Sequence, residues 1–169
     1  MRMPCSRAHQ LLLLAALVLS TVSCDQATKH VARQALANGS SHPLLGGLVH
    51  FTLAQNSGGF LSLGDALSPH LRLLIFTVAT CAFLVAALVA LVRSRPSFES
   101  RAGFGLALLA AGGLGNLIDR LCQQGFVTDF CILRLGPLHT GVFNVADVAI
   151  LLGVALVVIG APARSQASA

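Results

Sequence analysis

The chain has 169 residues, is 55% hydrophobic and 10% charged, and carries a formal net charge of +5. Soluble domains carry about 25% charged residues, so this composition and a mean hydropathy of +0.80 exclude an ordinary water-soluble fold and predict a polytopic membrane protein. The eleven Lys and Arg are thinly spread, and Trp and Tyr are absent, which excludes a nucleic-acid partner; the charges read as topology information.

The first predicted span covers about residues 8–24. It is short alone, but DQATKHVARQAL can continue its helix past the membrane surface. Its basic start, apolar middle and STVSC ending also fit a cleaved secretory signal, with Cys24 where a lipidated cysteine would follow. The DQATK that comes next argues for an uncut span. Residues 25–70 are too polar and too punctuated by Gly and Pro to cross. Within them GLVHFTLAQN is strand-like and ends in the turn signal NSGG, which predicts a short sheet on the outer membrane face.

Spans two and three cover about 71–92 and 102–121, flanking a loop at 93–101. In span three, Ala107, Ala111 and Gly115 recur every four residues, a spacing that lets helices approach closely in lipid. Residues 122–141 read as an external loop and 142–161 as span four. Arg2, Arg7, Arg93, Arg95, Arg101 and Arg164 fall on one side of this topology, making both termini and the 93–101 loop cytoplasmic; Lys29, Arg33 and Arg134 are external. The fold class is an all-α integral membrane protein, a single domain over 1–169. It is a four-transmembrane-helix bundle with a small external β element.

The five cysteines, Cys5, Cys24, Cys81, Cys122 and Cys131, are odd in number and lack CxxC spacing. That argues against a disulfide framework or a zinc site, and they read as small apolar fillers. A Cys122–Cys131 bridge stays open if that loop faces an oxidising compartment.

Ionisable groups at membrane depth are costly and default to functional candidates. Here they converge on one level. Asp25 and Lys29 follow span one; Asn116, Asp119 and Arg120 end span three; Asn144 and Asp147 open span four; Asp129 lies in the loop between those two. Asp25 and Lys29 sit at i,i+4, ordinarily a helix-surface pair. Asn56 in QNSGG reads equally well as a turn residue, and His139 as a solvated loop side chain. GNLIDR and FNVADV both contain N-x-x-D, which on a helix puts amide and carboxylate on one face, the amide orienting the carboxylate.

Asp129 and Asp147 stand in apolar surroundings with no adjacent base. Two carboxylates close together cannot both ionise easily, so one proton is shared. One then serves as general base to a water while the other, protonated, polarises a carbonyl, which is aspartic-protease chemistry. It needs no metal or other cofactor. HExxH and GxSxG are absent, and neither Ser57 nor Ser62 has an evident base. A proton or cation relay in a small transporter is the alternative use. Sequence symmetry favours Asp119 with Asp147 as the pair. Arg120 beside Asp119 favours Asp129 instead, because an ion-paired carboxylate suits neither proton sharing nor acid catalysis.

The series DQATK, QNSGGF, GGLGNLIDR, VTDF and FNVAD, in this order and spacing over about residues 8–160, resembles bacterial lipoprotein signal peptidase (signal peptidase II). The resemblance implies a multi-pass inner-membrane aspartic endopeptidase acting near the external face. Its partners would be diacylglyceryl prolipoprotein substrates and membrane lipid, cut just before the lipidated cysteine by a monomer. It implies Asp129 and Asp147 as the catalytic pair. It further implies Asn116, Asp119, Arg120, Gly112, Asn144 and Ala146 as pocket-shaping, Asn56 and Gly58 as lining the substrate groove, and Asp25 and Lys29 as the DQxTK motif. Gly59 and Phe60 depart from the alanines common after N-x-G, and Cys131 stands where an aliphatic residue is usual.

Overall fold

The computed structural model describes residues 7–57, 67–94 and 100–160. Four helices and a four-stranded antiparallel sheet follow in the order α1 (Arg7–Ala35), β1 (Ser41–Leu44), β2 (Val49–Asn56), α2 (Pro69–Ser94), α3 (Arg101–Cys122), β3 (Val127–Leu135), β4 (Leu138–His139) and α4 (Val145–Gly160). Gly58, together with Gly59 and Phe60, lies outside the described residues.

At 1.5 Å per residue α1 is about 43 Å long, more than the roughly 30 Å of a bilayer core. Its second half carries a different face from its first. Asp25, Lys29, Ala32 and Leu36 are buried at i, i+4, i+7 and i+11, one continuous stripe, whereas Leu11, Leu12 and Leu19 are exposed. α1 and α3 are long and apolar enough to cross a membrane; α2 and α4 carry shorter apolar stretches, Leu73–Ala87 and Val145–Gly160.

α3 is the central helix, touching α1, α2 and α4, and its small residues explain why. A Cβ on Gly112 would meet the Ala146 carbonyl oxygen of α4, and one on Gly105 would lie 2.8 Å from the Gly153 carbonyl. Ala107 and Ala111 are fully buried. Ser100 caps the start of α3, accepting from the Gly103 N–H at 3.1 Å. Gln124 and Gly125 end it with positive φ (55° and 96°), and the Gly125 N–H returns to the Arg120 carbonyl at 2.8 Å. That sharp stop delivers the chain into β3 beside Asp119.

The predicted strand in GLVHFTLAQN is β2. The segment read as a loop around Asp129 is instead β3, which pairs with β2 along most of its length. VTDFCILRL alternates too weakly to announce itself as a strand, because both of its faces are partly covered at the Asp129 end. Between Phe51 and Ala54 the β2–β3 register shifts by one residue, a β-bulge. Phe130 packs with Ala32 of α1 and Leu36 just beyond its end and stacks on Phe51 at 6.4 Å, fixing the sheet to the C-terminal half of α1. Cys122 and Cys131 are free thiols, so the possible bridge between them is not formed.

Candidate active site

Five elements bring the polar residues together: the C-terminal half of α1, the end of β2, the end of α3, β3 and the start of α4. They sort into two layers.

The lower layer is an ion triad. Lys29 Nζ lies 2.8 Å from Asp25 and 3.0 Å from Asp119, and both Lys29 and Asp25 are fully buried. The i,i+4 pair is therefore interior, not on a helix surface. A buried ion cluster survives only when every remaining lone pair and proton is satisfied, and here they are. Asp25 also accepts the Ala146 N–H at 2.9 Å. Asp119 accepts the Thr128 N–H at 2.9 Å and the Gln26 amide at 3.1 Å. The cation that neutralises Asp119 is thus Lys29 and not its neighbour Arg120. Arg120 points elsewhere, its guanidinium 6.0 Å above the Phe76 ring, in a cavity of about 530 Å³ lined also by His70, Leu73 and Gln124.

The upper layer holds Asp129 and Asp147. Asp129 accepts the Asn144 amide at 2.6 Å and the Asn56 amide at 3.0 Å. Asp147 accepts the Asn116 amide at 2.9 Å and the Asn144 backbone N–H at 3.2 Å. Each of the four carboxylate oxygens receives one amide N–H. Among the described residues neither carboxylate forms an ion pair. Burial pushes the Asp129 carboxyl up to about 6. The nearby negative charge of Asp147 adds to the rise, against the two amide hydrogen bonds and Lys29.

The bulge in β2 makes the Asn56 contact. Asp129 opposes Ala54, so Asn56, two residues on, shares its face and lies on the diagonal. Without the extra residue Gln55 would take that place and Asn56 would turn to the other side.

The two N-x-x-D segments work differently from the expectation that each amide orients the carboxylate three residues on. Asn144 precedes α4 and caps it: its Oδ1 accepts the Asp147 N–H at 2.9 Å while Asp147 accepts the Asn144 N–H, a capping box built from Asn and Asp. Its amide is then free to turn to Asp129. Asn116 lies within α3 and reaches across to Asp147, not down its own helix to Asp119. Both amide orientations are forced by donors that cannot accept: Lys29 at Asn116 Oδ1, 3.0 Å, and the Asp147 N–H at Asn144 Oδ1.

Gly112 and Ala146 act on the site indirectly, as the close contact between α3 and α4. Gln26, Thr128 and Arg33 were not among the sequence candidates. Gln26 bridges Asp25, Asp119 and the Gly115 carbonyl, and fully buried Thr128 takes Arg33 at 3.0 Å. The buried stripe 25–29–32–36 is the sequence signal that α1 stays packed here and that its neighbours matter.

Residues 17–161 match the signal peptidase (SPase) II family. The chain belongs to the signal peptidase II family. It is 37% identical over 138 residues to the lipoprotein signal peptidase of Desulforapulum autotrophicum, covering 81% of this chain and 83% of that one. It is 41% identical over 134 residues to that of Parasynechococcus marenigrum, covering 79% and 78%. A bacterial membrane enzyme solved by the in meso method at 2.3 Å superposes with a TM-score of 0.77 at 26% identity, covering 87% of this chain and 85% of that one. Membership in signal peptidase II makes the chain a peptidase of lipoprotein processing, and the apolar helices and solved neighbour make it a membrane protein.

Proposed function

We propose that this signal peptidase II cuts diacylglyceryl-modified prolipoproteins just before the lipidated cysteine, with Asp129 and Asp147 as the catalytic pair. What supports the pair is the division of the carboxylates. Asp25 and Asp119 are neutralised by Lys29, whereas Asp129 and Asp147 are held by amides alone. Amide donors orient a carboxylate without fixing its charge as a cation does.

In this mechanism the pair holds one proton. The ionised carboxylate takes a proton from water as its oxygen attacks the scissile carbonyl, and the protonated one hydrogen-bonds to the carbonyl oxygen as charge develops there. In the tetrahedral intermediate a proton passes to the cysteine nitrogen, the C–N bond breaks, and the signal peptide leaves with the new carboxyl group. The pair regains its single shared proton. Burial helps, since a proton is shared only where two charges are costly.

The same reading gives four spans in the bacterial inner membrane, both termini cytoplasmic, with the pair at the external surface, acting as a monomer. α1 ends its lipid-facing stretch near Cys24, and α4 begins at its capping box, so both aspartates sit where water meets lipid. The substrate's acyl chains then stay in the bilayer and fix the depth of its scissile bond. Arg120 and the cavity between α2 and α3 lie beside the pair and suit the polar part of such a lipid-borne substrate.

Purified protein in lipid vesicles tests this. Cleavage of a lipidated precursor, unaffected by a chelator and without ion flux, is the expected result. Ion or proton flux without cleavage would favour a transporter.

A further inference from the structure

Thr128 is fully buried one residue before Asp129, and its polar groups are all engaged. Its N–H donates to Asp119 at 2.9 Å. Its hydroxyl donates to Gln123 Oε1 at 3.0 Å and accepts from Arg33 Nη1 at 3.0 Å. Arginine cannot accept, so the hydroxyl proton goes to Gln123 and the direction of the chain is fixed. Gln123 is itself the C-cap of α3, its N–H returning to the Asp119 carbonyl at 2.7 Å. The Thr128 carbonyl faces the Asn144 amide at 3.5 Å. Successive strand residues point to opposite faces. The Thr128 side chain therefore turns to α1 and the end of α3, while Asp129 turns to Asn144 and Asn56.

The sheet alone fixes this end of β3 weakly. Val127, Thr128 and Asp129 pair with Asn56, Gln55 and Ala54 at the end of β2, and the register shift separates these pairs from the rest of the sheet. A bulge disrupts the ladder where it falls. Beyond Asp129, the Phe130 and Cys131 N–H groups both go to the Phe143 carbonyl, at 3.1 and 3.0 Å, which ties the strand to the lead-in of α4. Thr128 is the tie to α1 and α3. Arg33 serves that tie in place of an ion pair: among the described residues it forms none. A valine would suit a strand here equally well and bring no polar atom to satisfy. A satisfied buried hydroxyl adds little net stability but specifies one geometry.

We propose that Arg33 is a positioning residue for Asp129, acting through the Thr128 hydroxyl. Its guanidinium donates to the hydroxyl, the hydroxyl donates to Gln123, and the start of β3 is held against α1 and α3. Asp129 then meets Asn144, and across it Asp147, at one separation. A misplacement of about 1 Å at a reacting group can cost about 100-fold in rate. This rests on Asp129 and Asp147 being the catalytic pair, and goes beyond it by giving a role in turnover to a residue of α1 that acts only through a neighbour.

Thr128→Val, Thr128→Ser, Arg33→Met, Arg33→Lys, the double variant Thr128→Val with Arg33→Met, and Asp129→Asn are reconstituted full-length in lipid. Thermal melting checks folding, and kcat and KM are measured on a lipidated precursor. Expected for Thr128→Val and for Arg33→Met, which keeps the apolar stem, is a loss of about 10- to 100-fold in kcat with KM unchanged. Thr128→Ser and Arg33→Lys keep a hydroxyl and a donor, and recover most of that rate. The double variant loses no more than the worse single one, because both break one chain; a multiplicative loss overturns the proposal. Unchanged kcat in folded Thr128→Val or Arg33→Met also overturns it, even where the melting temperature falls, since a merely structural contact costs stability and not turnover. Where Thr128→Val fails to fold, Arg33→Met, at a half-buried helix position, decides alone. Raised KM at unchanged kcat overturns the proposal in favour of substrate contact. In these cases an inactive Asp129→Asn leaves the catalytic pair standing. Asp129→Asn cleaving like the parent overturns the pair, and the proposal with it.

Discussion

The ammonium group of Lys29 lies 3.0 Å from the carboxylate of Asp119, two helices joined by a buried ion pair directly beneath Asp129 and Asp147. This relationship separates structural carboxylates from candidate catalytic ones. Lys29 also reaches Asn116 at 3.0 Å, so the charge that seals the lower layer sets which way the Asn116 amide faces in the upper one.

Lys29→Met leaves Asp25 and Asp119 buried without their cation. Breaking a buried ion cluster in this way costs roughly 3–5 kcal/mol. The expected outcome is a large loss of thermal stability in detergent, partly recovered when Asp119→Asn is added. The double-variant comparison isolates the pairwise coupling.

The Asp129 carboxyl is raised to about 6 in the folded protein, above the roughly 3.9 of an unfolded chain. A carboxyl raised on folding contributes stability that is fully present below the unfolded value and lost as pH rises through the folded one. Asp129→Asn therefore gains stability relative to the parent at pH 8, by up to about 3 kcal/mol, and that gain shrinks as pH falls through 6 toward 4. Unfolding followed at several pH values checks this. A gain that is constant with pH contradicts it.

Asn144→Ala removes the cap of α4, worth about 1 kcal/mol, and the 2.6 Å donor to Asp129. Losing a donor to the ionised form raises the Asp129 pKa further, so the limb of the cleavage–pH profile set by Asp129 moves to higher pH. Asn56→Ala moves the same limb in the same direction and leaves the α4 cap whole. Parallel pH profiles and melting curves separate the two effects.

Gly112→Ala places a Cβ against the Ala146 carbonyl and 2.8 Å from the Ile150 side chain. Backbone cannot yield cheaply, so α4 shifts away from α3, at about 1–3 kcal/mol, carrying Asp147 off the Asn116 amide. Reduced melting temperature together with reduced cleavage is the expected pair of results.

Much of the site was legible because charged and amide side chains at the ends of apolar segments are few: Asp25, Lys29, Asn116, Asp119, Asn144 and Asp147 all lie in the two layers. The membrane class and the close approach through the small residues of α3 were likewise written in composition and spacing. Less legible was what depends on a partner strand. Asp129 reads as a loop residue because β3 is covered on both faces near it, and Asn56 reads as a turn residue because the bulge that aims it leaves no mark in GLVHFTLAQN. Local spacing also misled at N-x-x-D, where a cap at Asn144 and a cross-helix reach from Asn116 replace the same-face contact. The neutralising partner of Asp119 comes from a helix ninety residues earlier, which no neighbouring residue announces.

Cleavage of a lipidated precursor by Asp119→Asn, Asp129→Asn and Asp147→Asn, each reconstituted in lipid and checked for folding, tests the central claim most directly. The account predicts that Asp129→Asn and Asp147→Asn each lose roughly 100- to 10,000-fold in rate while remaining folded. Asp119→Asn is expected to lose stability, by about 1.5–3 kcal/mol, and to keep cleaving wherever it is folded. Normal cleavage by folded Asp129→Asn, with activity abolished in folded Asp119→Asn, would contradict the account.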